Sequence, residues 1–328
     1  MKPFRYERAA DAGSALAMLA ESPRAMLLGG GTNLVDLMRL GVEEPDVLVD
    51  VTRLPYDRVE QTVEGGLRVG ATVRNSDLAA HPLVRERYPV LAEALLNGAS
   101  GQLRNVATVG GNLMQRTRCV YFQDVTKPCN KREPDSGCPA RAGEHRNLAI
   151  LGWSEACVAT HPSDMAVALS ALDAVVHVEG AVGARSVPLV DFHRLPGDAP
   201  SRDTVLEHDE LITAVELPPL PWARRSRYVK VRERASFAFA LVSVATALDV
   251  QDGVVRGVRL SLGGLAHKPW RATRAEAMLR GAPATEASFV GAAEAELQAA
   301  RPLRDNAYKV PLARTLIVRT LTELAATS

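Results

Sequence analysis

Ala25-Met26-Leu27-Leu28-Gly29-Gly30-Gly31-Thr32-Asn33-Leu34 is an apolar run that opens into three consecutive glycines. The first four residues read as a buried strand, because the run is too short for a helix and a breaker follows at once. Consecutive glycines accept positive φ and let a ligand approach the main chain, so successive N–H groups can form a concave nest for phosphate. The loop is not a Rossmann fingerprint, since G-x-G-x-x-G counted from Gly29 ends on Leu34, and it is not a P-loop, since no Gly-Lys-Ser/Thr follows. Alone it fits a tight turn as well as a ligand loop. A second segment, Ala107-Thr108-Val109-Gly110-Gly111-Asn112, repeats the chemistry: close-approach glycines beside a hydroxyl and an amide. Two such loops can hold a diphosphate from two sides without a helix N-terminus. Asp164, in Thr160-His161-Pro162-Ser163-Asp164, sits where it can accept bonds from ribityl or ribose hydroxyls, although the helix dipole alone also favours a carboxylate there.

Outward from these loops, short apolar runs alternate with helical periodicity. Val47–Val51 reads as a second buried strand, and Val59–Val63 with Leu67–Gly70 as a hairpin around Glu64-Gly65-Gly66. Leu91–Leu96 continues a helix that ends at Gly98, a C-cap. Ser163 is an N-cap for a helix over Met165–Leu172, and Ala174–Val178 returns as a strand. Leu217-Pro218-Pro219-Leu220-Pro221 is a break and sets a domain boundary near residue 222. Beyond it, Tyr228–Arg232, Leu241–Val250 and Val254–Leu262 read as an antiparallel sheet with a turn at Gln251-Asp252-Gly253. The chain from about Thr285 onward is Ala- and Leu-rich and helical. The expected class is α+β in two domains.

The 328 residues suffice for two domains and a sizeable core. With 39 basic and 38 acidic residues no global field favours nucleic acid or a membrane. No run of about 18 uninterrupted apolar residues marks a membrane span, and Met1–Arg8 lacks the apolar core of a signal peptide. Synthesis in the cytoplasm without a signal of its own is the expectation.

All four cysteines, Cys119, Cys129, Cys138 and Cys157, fall in one polar stretch between the second glycine loop and the Ser163-Asp164 helix start. Such clustering in a chain without a signal points to metal or redox chemistry rather than disulfides. No pair shows the C-x-x-C spacing of zinc ribbons. Four thiolates satisfy tetrahedral zinc or a 4Fe–4S cluster equally on ligand count, and unligated or disulfide-bonded cysteines are the remaining reading. Lys127, Lys131, Arg132, Arg116, Arg118 and Arg141 can offset the charge of a thiolate-bound cluster. Pro128 and Pro139 stiffen the loop. His145 and His161 are candidate ligands, but loop histidines more often serve in hydrogen bonding, and the cysteines already fill a site. No Ser/His/Asp array or carboxylate pair calls for hydrolysis.

The loops Gly-Gly-Gly-Thr-Asn-Leu (29–34) and Ala-Thr-Val-Gly-Gly-Asn (107–112), the Ser163-Asp164 helix start, and Tyr228–Arg232 followed by Phe239–Ala245 together resemble the FAD-binding subunit of the xanthine dehydrogenase/molybdenum hydroxylase family. The resemblance spans nearly the whole chain. Gly98–Asn105 and Gln115–Cys119 look most like the flavoprotein subunit of bacterial periplasmic-type aldehyde oxidoreductases. It implies a vanillyl-alcohol-oxidase-type (PCMH-type) FAD-binding fold of two α+β subdomains, at about 1–55 and 56–222. A CO-dehydrogenase-flavoprotein-like C-terminal domain of antiparallel sheet and helices follows at 223–328. It further implies that Met26, Leu27, Leu28, Gly29, Gly30, Gly31, Thr32, Asn33 and Leu34, with Thr108, Gly111 and Asn112, bind the FAD diphosphate. Asp164 would bond the ribityl or ring region, Ile212 would touch the flavin ring, and Lys230 would stand near its polar edge. On the residues alone Lys230 is a strand lysine in solvent.

In two branches of the family, aldehyde oxidoreductases and 4-hydroxybenzoyl-CoA reductases, the insert at about 116–160 carries a 4Fe–4S cluster; here its ligands would be the four cysteines. The implied function is electron transfer within an aldehyde oxidoreductase. Electrons would pass from a molybdenum cofactor on a large subunit, through 2Fe–2S clusters on a small subunit, to this FAD and an external acceptor. The rival readings are a benzoyl-CoA-reductase-like subunit with reversed flow, and a zinc-stabilised non-redox binding subunit. Export with a partner that carries a twin-arginine signal would place the complex in the periplasm.

Overall fold

The computed structural model describes residues 1–326. Near the N-terminus, β1 (Arg5–Arg8), β2 (Ala25–Leu28) and β3 (Val47–Asp50) form a parallel sheet in the order β1-β3-β2. Parallel strands need crossover connections, and two helices supply them. Ala12–Ala20 starts at a capping box in which Asp11 accepts from the Ser14 N–H at 2.7 Å. Leu34–Leu40 ends at Gly41, whose φ of 75° suits glycine.

The second sheet is antiparallel, with strand order β4-β5-β8-β6-β7. Its members are β4 (Val59–Gln61), β5 (Leu67–Gly70), β6 (Val175–Gly180), β7 (Gly183–Pro188) and β8 (Glu210–Leu217). The β4–β5 hairpin stands where the sequence places it, but β4 stops two residues early. Thr62 turns its hydroxyl to accept from the Gly66 N–H at 2.9 Å, and Val63 is left exposed. A core of Tyr88, Val90, Leu91, Met165 and Leu169 joins this sheet to the helices Pro89–Asn97 and Asp164–Ala171. All eight residues of Asp164–Ala171 are buried, so this helix is enclosed on every side rather than amphipathic. Ser163 caps it by accepting from the Ala166 N–H at 3.0 Å. Gly98 ends the helix before it as expected, yet in extended backbone. The left-handed residue is its neighbour Ala99, at φ 49°.

The third sheet has the order β12-β11-β10-β9 and contains β9 (Ser226–Val231), β10 (Val242–Gln251), β11 (Val254–Gly263) and β12 (Trp270–Arg271). Asp252 and Gly253 join β10 to β11 with φ of 52° and 72°, the double positive turn that matches strand twist. Helices Thr273–Leu279, Glu286–Leu297 and Lys309–Ala326 cover one face, in a core with Val244, Leu260, Phe289 and Ile317. Between the second glycine loop and Asp164 the chain is mostly irregular, with only the single turns Val120–Gln123 and Pro139–Arg141. Among the described residues no helix is long and apolar enough to cross a membrane.

Candidate cofactor and thiol sites

The first glycine loop leaves the C-terminal end of β2 and packs directly against the second. A Cβ on Gly30 would stand 2.1 Å from the Val106 carbonyl oxygen, and one on Gly29 would stand 2.8 Å from Thr108 Oγ1. The glycines are thus required by loop-on-loop packing as well as by any ligand. Both loops run straight into helices, Leu34–Leu40 and Val109–Leu113. In the second loop the first-turn N–H groups are already bonded: Val109 to the Val73 carbonyl at 3.0 Å, Gly110 to the Ala71 carbonyl at 2.8 Å and Gly111 to Thr108 Oγ1 at 3.2 Å.

The paired loops form one wall of a cavity of about 500 Å³, within the size range of small-molecule and cofactor sites. Met26, Leu27, Gly29, Gly30, Gly31, Thr32, Asn33, Leu34, Thr108, Gly111 and Ile212 all line it. Leu28 and Asn112 stand behind this lining. Leu28 pairs with Asp50 across the parallel sheet. The Asn112 carboxamide oxygen accepts from Ser163 Oγ at 2.6 Å and from Gln115 Nε2 at 2.8 Å. Asn112 thereby ties the second loop to the helix start at Asp164.

Three buried polar atoms on the cavity wall have no protein partner: Asn33 Nδ2, Thr72 Oγ1 and His193 Nδ1. Buried donors and acceptors are rarely left unsatisfied, so three around one cavity mark it as built for a polar ligand. Asn33 is fixed for that purpose, because its Oδ1 accepts from the Arg116 backbone N–H at 2.8 Å. The far wall is the segment around Asp203, Thr204 and Leu206. This segment and His193 carry no periodicity or motif in the sequence, and only the fold brings them to the site.

Asp164 and Lys230 lie elsewhere. Lys230 Nζ stands 2.7 Å from Asp164 Oδ2, with side chains 1% and 8% exposed. Tyr228 donates its hydroxyl to the other carboxylate oxygen, and Lys230 also donates to the Asn97 carbonyl at 3.1 Å. The strand-surface reading of Lys230 is therefore wrong: the residue is buried because Asp164 is there to pair with it. Burial pushes the Asp164 carboxyl above its ordinary range, opposed by Lys230 and Tyr228. Asp164 borders a second, smaller cavity together with Arg118, His161 and Phe239. The Arg118 guanidinium lies 5.0 Å from the Phe239 ring, and burial lowers its pKa to about 10.

The thiols of Cys119, Cys129, Cys138 and Cys157 line one small, mostly apolar cavity, together with Phe122, Pro128 and Pro139. Backbone N–H groups of Tyr121 and Phe122 beside Cys119, of Val158, Ala140 and Arg141 beside Cys138, and of Ala159 beside Cys157 favour the thiolate form. Burial raises the Cys119 and Cys138 thiols and pushes Cys157 up to about 12. That is the reverse of an activated nucleophile. Among the described residues no three His, Cys, Asp or Glu side chains gather as a site for one metal ion.

Of the cations expected to offset charge here, Lys131 lines the cavity. Arg116 lies over the Phe122 ring at 4.8 Å and pairs with Glu43 and Asp203, on the wall of the large cavity. Arg132 is spent on the carbonyls of Tyr121, Phe122 and Lys127, and Arg141 pairs with Glu155. His145 is buried and bonds the Ala140 carbonyl at 3.0 Å, a structural role as weighed from the sequence. His161 lies edge-on to His193, with centroids 4.3 Å apart.

Comparison with known proteins agrees with this geometry. Residues 2–220 match the family described as the FAD binding domain in molybdopterin dehydrogenase, and residues 227–324 the CO dehydrogenase flavoprotein C-terminal domain. The chain is 50% identical to the aldehyde oxidoreductase FAD-binding subunit PaoB of Escherichia coli, over 99% of each chain. It is 29% identical to the glyceraldehyde dehydrogenase medium chain of Sulfolobus acidocaldarius, over 83% of this chain and 79% of that one. Among solved structures, carbon monoxide dehydrogenase from Hydrogenophaga pseudoflava superposes with a TM-score of 0.76 at 25% identity, over 99% of both chains. Quinoline 2-oxidoreductase from Pseudomonas putida 86 does so with a TM-score of 0.76 at 24% identity, over 100% of this chain and 99% of that one. The fold is the PCMH-type FAD-binding fold with a C-terminal sheet-and-helix unit, as the sequence led us to expect. With both glycine loops, the unpartnered polar wall and the matched length all in agreement, the chain belongs to the FAD-binding medium subunits of the molybdenum hydroxylase family.

Proposed function

We propose that this chain is the FAD- and 4Fe–4S-carrying electron-transfer subunit of a molybdenum-dependent aldehyde oxidoreductase. The observation that carries the reading is the convergence of four cysteines, Cys119 and Cys157 buried and Cys129 and Cys138 half-buried, on one cavity, in a chain half-identical over its length to an aldehyde oxidoreductase subunit. When bound, FAD and the cluster supply the electron storage and one-electron chemistry that side chains lack. The protein's part is to bind, orient and exclude water.

Residues 26–34 with Thr108, Gly111 and Asn112 would hold the diphosphate. Asn33, Thr72 and His193 would bond its polar tail, and Ile212 would give an apolar contact. Asp164 and Lys230 would hold a fixed charge pair under the ribityl and ring end. Cys119, Cys129, Cys138 and Cys157 would be the cluster ligands. Peptide N–H groups beside three of the sulfurs favour the thiolate form and offset a bound cluster's negative charge. The partners are a large molybdenum-cofactor subunit and a small 2Fe–2S subunit, with electrons leaving from the FAD to an external acceptor. The division into domains falls near residue 222.

The test is to purify the complex with both partners and measure flavin, iron and acid-labile sulfide. Aldehyde turnover with an added acceptor is then followed in the wild type and in Cys129→Ser. One FAD and about four irons beyond those of the small subunit are expected on this chain, with the excess lost in the variant. One zinc and no excess iron, or reduction of an aromatic CoA thioester instead of aldehyde oxidation, would overturn the reading.

A further inference from the structure

An ionic chain, buried at Lys131 and half-buried at Asp203 and Arg116, runs between the cysteine cavity and the large cavity. Lys131 is the one charged residue lining the cysteine cavity among the described residues, and its side chain is 1% exposed. Its ammonium donates to the Pro200 carbonyl at 2.8 Å and to Asp203, and stands 2.8 Å from His267 Nε2. Asp203 is on the wall of the large cavity and accepts from Arg116 Nε at 3.0 Å. Arg116 in turn reaches Asn33 of the first glycine loop through its backbone N–H. One carboxylate thus sits between the cation at the thiols and the loop that forms the diphosphate site.

A lysine this deep is costly unless paired, and an apolar side chain of its size would fill the space at less expense. Stability alone does not account for a cation here. His267 adds no charge at neutral pH, because burial pushes it down to about 4. Charges in such a dry region act on one another strongly. A cluster held by the four cysteines would supply one-electron chemistry, and an electron on it would add negative charge beside the Lys131 ammonium with no bond made or broken. The lysine favours that added charge, and the carboxylate behind it opposes it.

We propose that Lys131 and Asp203 are positioning residues for electron transfer, with the ammonium raising the midpoint potential of the group held by the four cysteines and the carboxylate limiting that rise. The proposal rests on the 4Fe–4S reading above.

The test is an EPR-monitored redox titration of the cluster in the assembled complex, for the wild type, Asp203→Asn and the double variant Lys131→Gln/Asp203→Asn. The double variant keeps a donor facing an acceptor and buries no unpaired charge, so it stays measurable if the single variant folds poorly. The expected order of potential is double variant lowest, wild type between, Asp203→Asn highest. A purely structural pair would change unfolding stability without ordering the potentials by sign. A double variant at or above the wild-type potential overturns the proposal and leaves the cluster reading standing. A wild-type complex with no cluster signal beyond that of the small subunit overturns the cluster reading and the proposal with it.

Discussion

Lys230 and Asp164 meet at 2.7 Å between β9 and the first turn of a fully buried helix, and Tyr228 closes the other side of the carboxylate. The pair joins the C-terminal sheet to the helix whose start Asn112 ties to the second glycine loop. Removing one partner of a buried pair leaves an uncompensated charge and costs about 3–5 kcal/mol. Asp164→Asn is therefore expected to lower stability by about that amount, seen as a reduced urea midpoint. Asp164→Asn/Lys230→Gln should recover part of the loss. A single variant within about 0.5 kcal/mol of the wild type, the range of ordinary surface changes, would show the pair to be energetically idle.

The two glycine substitutions should separate by mechanism. At Gly30 an added methyl meets main chain, the Val106 carbonyl, which cannot move without displacing the second loop. At Gly29 it meets the Thr108 hydroxyl, which can rotate. Gly30→Ala is expected to abolish FAD retention through purification, and Gly29→Ala to lower it only in part. Flavin absorbance per chain reads both. Equal retention in the two variants would sink the loop-on-loop account.

These sites differ in how much of them shows in the sequence. The first glycine run alone fits a tight turn as well as a ligand loop, and it is the second loop with the same chemistry that decides between them; four cysteines in one stretch declare themselves by count. The antiparallel C-terminal sheet was legible from period and from the Asp252-Gly253 turn. Lys230 was not, since its environment is set by a partner 66 residues away. Thr72, His193 and Asp203 were equally hidden. Each is an ordinary polar residue locally, and only the meeting of β5, β8 and the loop before β8 turns them toward one cavity. Arg116, named among the cations near the cysteines, lies over the Phe122 ring at 4.8 Å and pairs with Glu43 and Asp203, partners that sequence nearness to Cys119 does not reveal.

Acid should weaken the fold through buried imidazoles. Burial lowers His193 and His267 to about 4 each, and lowers His161 with help from neighbouring His193. In the unfolded chain these groups take up protons near pH 6.5. Between about 6.5 and 4 the unfolded state binds more protons than the folded one, so stability falls as pH falls. Each depressed unit is worth about 1.4 kcal/mol, which gives a loss on the order of a few kcal/mol across that window. Denaturation midpoints at pH 7.5, 6 and 5 should decline, and the decline should be shallower in His267→Gln. A flat profile would mean that these rings are not buried neutral.

The C-terminal helices are joined by a carboxylate that caps a helix other than its own. Glu296, near the end of Glu286–Leu297 and 2% exposed, accepts from the Arg274 N–H at 3.0 Å and the Ala275 N–H at 3.1 Å. Its other oxygen accepts from Trp270 Nε1 at 2.8 Å. The backbone donors belong to the first turn of Thr273–Leu279, where Ala272 holds the cap position and offers no side-chain acceptor. Glu296→Ala leaves three donors unsatisfied, two of them backbone, and opens a void between helices. It should cost about 2–4 kcal/mol, since each orphaned buried donor is worth about 1–3 kcal/mol before relaxation. Glu296→Gln keeps an oxygen for one side of the site but turns a donor toward the other, so its loss should be smaller and still measurable. Thermal unfolding of the three proteins gives the ranking. If Glu296→Ala unfolds with the wild type, the cap is supplied from elsewhere and this link between the helices does not hold the C-terminal unit together.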